Sequence, residues 1–419
     1  MARNLRGWVP GWVPGSSSQR GRSTVAPVLS TAERVVSPPL ITTGYPPSLR
    51  SHLPLVSRDV PRLNDRLGFC GGFPSFPDIA PLGAGWYLNW RVLRDPARPG
   101  GIGFVQVVTI HQVTQCWPRR LRDRSSDGED CSQGVPCPYV RPYTYTVTNI
   151  SPGALVEVAQ INPGSLWLIS NEPDRVDWGR LCTWGPKDGD FLPVPDGGQD
   201  EALPEVYAEA YHDIYLQIKN SDPTARVAIA GIIQATPSRM QYITKVWDYY
   251  RSRYGQDMPV DVWNVHNFIL KERCDEYGAD VPPGYDSCRG TVYSDQETDN
   301  MSIFDGQIRA FRRWMKDRGQ QNKPLIVSEY GFLYHHILDA DPDKAQARVT
   351  SFMLKTFDYC MNAKDRDPGY PGDDYRLVQR WAWYSLDDDG FNPYNFLYSP
   401  RTQQTTPLGE AFGNWALTH

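Results

Sequence analysis

Two glutamates stand where a solvated charge is out of place. Glu172 follows the apolar run LWLIS in the stretch SNEPD, and Glu329 lies near the end of PLIVSEYG. Where strands run parallel and close into a barrel, their carboxyl ends open onto one face, and catalytic groups gather there. Two carboxyl groups brought to such a rim suit the cleavage of a glycosidic bond. One, kept protonated by its surroundings, protonates the leaving oxygen while the other attacks the anomeric carbon. A separation of about 5–5.5 Å goes with retention of configuration, whereas about 6.5–9.5 Å leaves room for a water and goes with inversion. For one such glutamate alone, capping a helix or pairing with an arginine is the simpler role. Two of them, each with a distinctive flank, favour chemistry.

The flanking residues supply the rest of a candidate site. Asn171 offers an amide for a sugar hydroxyl, and Tyr330 is placed to line the site beside Glu329. His266, in VWNVHNF, comes near the end of another strand, where an imidazole can join a carboxylate network. Trp383 in WAWYSL is a candidate floor for the reacting sugar, with Trp381 on the same side by strand alternation. Trp86 and Asn89, in the first strand GWYLNW, are further candidates for substrate contact. Core packing competes for each tryptophan. The run Asp387, Asp388, Asp389 lacks the D-x-D-x-D-G loop with a distal Glu, and reads as a solvated loop. His335 and His336 have no third ligand at a recognisable spacing, so neither a metal nor a cofactor is expected.

The elements needed to position these residues are visible as a βα alternation. Strand-like runs fall at 84–90, 104–110, 166–170, 226–232, 260–268, 324–330 and 380–386. An eighth is expected within 143–150, with the region around the third strand irregular because 111–142 has the polar, Gly and Cys content of a long loop. Between strands, Tyr207, Tyr211, Ile214 and Ile218 share one helical face after Pro204, and Met240, Ile243, Trp247, Tyr250 and Tyr254 share another. A further helix is expected to start near Ser302, with Phe304, Ile308, Phe311 and Met315 as its buried stripe. The fold class is therefore α/β, a (β/α)₈ barrel over residues 67–419. Residues 1–66, rich in Pro, Ser and Arg and carrying the duplication GWVPGWVP, read as a disordered tail.

Composition narrows the partners. The chain of 419 residues is 40% hydrophobic and 22% charged, with a formal charge of −5 that offers no basic footprint for nucleic acid. No apolar run reaches the roughly 18 residues of a membrane span. The 14 Trp and 23 Tyr suit sugar faces, although large cores also collect aromatics. Eight cysteines permit disulfides, and the local pairs 131/137 and 274/288 are the expected ones, in keeping with export. Residues 1–30 nevertheless lack the apolar stretch of a signal peptide. A monomer is expected.

Taken in order, GWYLNW, SNEPD, VAIAGI, VDVWNVHNF, VSEYG and WAWYSL resemble the motifs of clan A glycoside hydrolases. These are (β/α)₈ retaining enzymes with Asn-Glu after the fourth strand and Glu at the seventh. Within the clan, the opening motif, NEPD and the closing TPLGEAF are most similar to the small endo-β-1,3-glucanases, over about residues 84–412. The resemblance implies Glu172 as general acid/base, Glu329 as nucleophile, and Asn171 and His266 as site-lining residues, with Trp383 a looser match. It also implies a β-linked glycan as substrate. Extra loops at 111–142 and 174–203 depart from the small glucanases and would reshape a cleft. A non-catalytic carbohydrate-binding barrel and a transglycosylase using the same two carboxylates are the alternatives.

Overall fold

In the computed structural model, the described residues are 64–71, 79–113, 139–176 and 199–419, apart from 275, 389 and 391. Parallel strands dominate. A six-stranded sheet runs in the order β3 (Gly103–Phe104), β2 (Ala84–Leu88), β1 (Asn64–Cys70), β11 (Arg380–Tyr384), β10 (Leu325–Tyr330), β9 (Trp263–His266). A three-stranded sheet runs β4 (Gln106–Val108), β7 (Leu166–Ile169), β8 (Arg226–Ile229). Every pairing in both is parallel.

The two sheets meet at both edges. Only Val105 separates β3 from β4, and the amides of Val105 and Val107 donate to the carbonyls of Tyr87 and Arg91, each at 3.0 Å. At the other edge, isolated parallel bridges join Ala228 to Val262 and Ile232 to Val265.

The first parallel strand is the one that composition hides. β1 begins at Asn64, inside the stretch expected to be tail, and pairs with both β2 and β11. Arg66 anchors it, holding both carboxylate oxygens of Asp373 at 2.7 and 2.6 Å. The expected strand within 143–150 has a different role. β6 (Tyr145–Val147) pairs antiparallel with β5 (Ile110–Gln112), a short ribbon outside the parallel sheets. Alternation of Tyr and Thr marks a strand but not its partner, and the parallel strand missing from the expected set is β1 at Asn64–Cys70.

Helices cover the strands as their apolar stripes require. They are α1 (Pro152–Ile161), α2 (Pro204–Ser221), α3 (Pro237–Tyr254), α4 (Met301–Asp317), α5 (Pro342–Asn362) and α6 (Pro407–Thr418). Five of them start on proline, whose fixed φ and missing N–H suit the first helical turn. The exception, α4, is capped by Asn300, whose side chain accepts from the Ser302 amide, so the helix starts just before the expected Ser302. None of the described helices is long and apolar enough to cross a membrane.

Two apolar layers result, apart from a third, small cluster of Ile233, Phe268, Leu270, Ala279 and Tyr334. The larger packs strand faces against helices, and includes Trp167, Trp263, Tyr330, Trp381 and Trp383. The smaller lies on the other strand face and draws on both sheets: Cys70, Trp86, Leu88, Val105, Val107, Leu166, Leu168, Ala228, Val262, Ile326 and Ala382. Within it the Trp86 indole lies across Gly68, where an added Cβ would stand 2.5 Å from the ring. Gly68→Val should therefore destabilise the fold by about 1–3 kcal/mol through overpacking, read from the urea midpoint. An unchanged midpoint would mean that β1 is not part of the core.

Candidate active site

The strand ends bring the two glutamates together. Glu172 and His266 are each 2% exposed and Glu329 8%. His266 Nδ1 lies 2.9 Å from Glu172 Oε1, and its Nε2 lies 4.0 Å from Glu329 Oε2. One ligand atom from each of the three falls within 4.8 Å of the others. The imidazole thus stands between two carboxylates.

Each residue reaches this position by a local device. Beyond β7 the chain turns through Ser170 at φ 78° and Glu172 at φ 47°, left-handed backbone that costs of order 1–3 kcal/mol per residue and survives only where the surroundings hold it. Asp200 is one such holder: its Oδ2 accepts from the Asn171 amide at 2.8 Å and the Ile110 amide at 3.1 Å. Asp174 is the other, accepting from the Ile233 amide and pairing with Arg239 at 2.8 Å. Arg239 is fully buried; it also donates to Glu272 at 3.1 Å and to the carbonyls of Ala279 and Asp280 at 2.7 Å.

Glu329 depends on an irregularity in β10. Ile326 faces the inner layer, so strict alternation would turn residue 329 outward. The register of β10 slips against β9 between Val327 and Glu329, and against β11 between Val327 and Tyr330. Such a bulge re-aims a side chain. His266 needs an empty space instead, since a Cβ on Gly231 would lie 2.1 Å from its ring.

Three of the other expected site residues lie elsewhere. Tyr330 turns to the helix layer, where its hydroxyl meets Thr356 Oγ1 at 3.0 Å. Trp383 also faces the helices, edge-on to Tyr330, with its indole donating to the Asn395 carbonyl. Both follow from period-two alternation once Glu329 and Tyr384 face inward. Trp86 is on the inner face but in the middle of β2, short of the strand ends, with its Nε1 donating to the Arg66 carbonyl. Asn89 follows β2 and is half-buried; its Oδ1 has no partner among the described residues. Asn171 is 9% exposed and adjoins Glu172.

The strands place other aromatics where those had been expected. Trp90, two pleats beyond Trp86 on the same face, donates its Nε1–H to Glu329 Oε2 at 3.1 Å. Tyr384, next to Trp383, lies tilted against Trp90 with centroids 6.0 Å apart, and edge-on to Phe268 at 6.3 Å. Counting in twos from Trp86 and from Ala382 leads to both. Arg175 had no sequence signal: its Nη1 donates to Glu172 Oε2 at 3.2 Å. Asp387 is buried rather than solvated, and Asp388 accepts from the Tyr384 hydroxyl. The 274/288 disulfide is present, whereas 131/137 lies outside the described residues.

Charge in the pair is unequal. Burial and the charge of Glu172 push the Glu329 carboxyl up to about 7, against the pull of His266 and the Trp90 hydrogen bond. Burial would raise Glu172 as well, but the His266 hydrogen bond and the Arg175 charge hold it down at about 2. The two carboxyls are thus pushed in opposite directions, Glu329 up and Glu172 down. Both Glu172 oxygens are engaged, one by imidazole and one by guanidinium.

No protein-family model and no curated protein matches the chain. Similar solved structures include a family 39 glycoside hydrolase from Bacteroides cellulosilyticus WH2, at 12% identity and a TM-score of 0.40, over 84% of this chain and 64% of that one. The chain thus spans less than two thirds of that protein's length. A glucosidase from Croceicoccus marinus is similar at 9% identity and 0.46, over 85% and 68% of the two chains. Thermotoga maritima Cel5A in complex with mannotriose is similar at 12% and 0.40, over 83% and 97%. At such identities the roles of individual residues rest on the site itself.

The two carboxyls should leave opposite marks on stability. An unfolded glutamate loses its proton near 4.5 while Glu329 keeps it to about 7, so the folded state binds more protons and stability falls as pH rises through that window. Glu172, held low, contributes stability above 4.5 that is lost as pH falls toward 2. Glu329→Gln should flatten the first slope, a gain on the order of 2 kcal/mol at pH 8 relative to pH 4, and Glu172→Gln the second. Melts across pH 3–8 check both; identical slopes in all three proteins would refute the charge order. Gly231→Ala should displace His266 and weaken both slopes together.

Proposed function

We propose that the protein is a retaining glycoside hydrolase acting on a β-linked glycan. In this reading the two sheets form one eight-stranded (β/α)₈ barrel, with β3 and β4 counted as a single interrupted strand. Support comes from the linking hydrogen bonds beside Val105, the bridges at Ala228 and Ile232, and an inner apolar layer drawn from both sheets. The observation that carries the function is the approach of Glu172 and Glu329 to within 4.8 Å at strand ends. That spacing is nearer the roughly 5–5.5 Å of a double displacement than the about 6.5–9.5 Å of an inverting pair.

Glu329 attacks the anomeric carbon as Glu172 passes its proton to the leaving oxygen, giving a glycosyl ester on Glu329. Glu172, now a carboxylate, takes a proton from water, which attacks the same carbon and frees Glu329. Trp90 orients the Glu329 carboxylate through its indole N–H, and Trp90, Tyr384 and Phe268 form an aromatic wall beside it. His266 bridges the pair and stabilises the ionised partner at each step. No cofactor enters. The reversed assignment, Glu329 as acid and Glu172 as nucleophile, is favoured by one feature, the opposite directions in which the surroundings push the two carboxyls, Glu329 up and Glu172 down.

A 2-deoxy-2-fluoro glycoside with a good leaving group distinguishes the two. Mass spectrometry should find the trapped sugar on the peptide containing Glu329, and a label on Glu172 would reverse the roles. The substrate is found first with laminarin, mixed-linkage β-glucan, mannan and xylan, the first testing the likeness to endo-β-1,3-glucanases. Glu329→Ala should lower kcat by about 10³-fold or more. Turnover unaltered by that change, or glycan binding without any cleavage, would end the proposal; longer products would indicate transglycosylation.

A further inference from the structure

A short covalently closed loop reaches the catalytic pair through one side chain. Cys274 and Cys288, 14 positions apart, are joined, and the base of the loop is tied by the bridge between Arg273 and Arg289. Glu272, fully buried at its foot, accepts from the Thr291 amide at 2.7 Å and from Gln234, Ser238 and Arg239. The Ala279 amide donates to the Lys271 carbonyl at 2.9 Å, and a Cβ on Gly278 would stand 2.3 Å from that same carbonyl oxygen. Gly278 is thereby fixed. Its carbonyl accepts from Arg175 Nη2 at 3.0 Å, while Nη1 of the same guanidinium donates to Glu172 Oε2 at 3.2 Å. The Arg175 Nε has no partner among the described residues, so the two terminal nitrogens make its contacts.

We infer that Arg175 is a positioning residue that transmits the placement of the disulfide-closed loop to Glu172, and so sets how readily that carboxyl takes up a proton. The inference rests on the proposed catalytic reading of the pair for its consequence, but not for its physics. With the loop in place, the planar fork of Arg175 spans a backbone carbonyl and a carboxylate, a geometry that a lysine ammonium cannot reproduce. The guanidinium then favours the ionised form of Glu172. Where an entering sugar hydroxyl takes the guanidinium, Glu172 loses that counter-charge and takes up a proton more readily, the state that the proposed first displacement needs.

The groups facing the pair are few enough to account for. Glu172 faces His266, Arg175, Glu329 and Asp174, and Glu329 faces His266, Glu172, Trp90, Arg175, Cys70 and Tyr384. Tyr277 and Tyr334 also feel the Arg175 charge. Among these, Arg175 is the cation whose second anchor lies on the disulfide-closed loop.

The test follows the Glu172 carboxyl directly, by ¹³C NMR of glutamate-labelled full-length protein, assigned by loss of its signal in Glu172→Gln. Arg175→Gln should raise the proton affinity of Glu172 by about tenfold or more, and Arg175→Lys should restore only part of the difference. Cys274→Ser with Cys288→Ser should move it the same way, and should add nothing in the Arg175→Gln background. A Glu172 titration unmoved by Arg175→Gln would overturn the inference, as would loop and arginine effects that simply add. These readings need no substrate. If the NMR shifts occur in a protein that cleaves no glycan, the coupling stands and the catalytic reading falls. If glycan is cleaved with retention while the titration stays put, the reverse holds.

Discussion

Two buried carboxylates sharing one imidazole cannot both be ionised without cost, and much of the architecture around the strand ends answers that constraint. His266 supplies a hydrogen bond to one and faces the other. Arg175 and Trp90 complete the arrangement asymmetrically, a full charge on Glu172 and a neutral donor on Glu329. In a medium of low dielectric, that asymmetry is what separates the two proton affinities. A symmetrical environment would leave the pair sharing its proton evenly, with neither group prepared for a distinct task.

Holding such a cluster needs a rigid surround, and here it consists of charge rather than oil. Arg239, Asp174 and Glu272 are all fully buried, and each has several partners. Removing one member of a buried set leaves the others uncompensated, which is far more costly than the set itself is stabilising. The network links the segment after β7 to the N-terminus of α3 and to the segment after β9. Left-handed residues cluster at the same place, with Trp90, Ser170 and Glu172 all at positive φ. Strain of this kind persists where neighbouring contacts over-determine the backbone.

What the sequence made legible was set by how local each signal is. The two glutamates, His266 and Asn171 stood out because polar residues ended apolar runs, and the structure brings them to adjoining strand ends. Tyr330, Trp383 and Trp86 were attractive as aromatics near those ends, but which face a residue takes depends on register. One bulge in β10 decides it for Tyr330, and distance along β2 decides it for Trp86 against Trp90. β1 was hidden because its seven residues, NDRLGFC, show little alternation and follow a stretch of tail-like composition. Arg175 and the Arg239 network are contacts between remote segments, and nothing in local spacing announces them.

The backbone around Asn171 has a consequence for how this chain can change over time. Asp200 donates its amide to the Asn171 carbonyl, and Ala202 to that of Pro173, so the segments before and after residues 177–198 lie side by side. A carboxylate oxygen of Asp200 seals the same junction from the other direction. The intervening stretch thus departs and returns through a stitched gate. Insertions or deletions between the two stitched ends can therefore accumulate while the backbone at Asn171 and Glu172 keeps its coordinates, an evolutionary latitude that the cluster itself does not share.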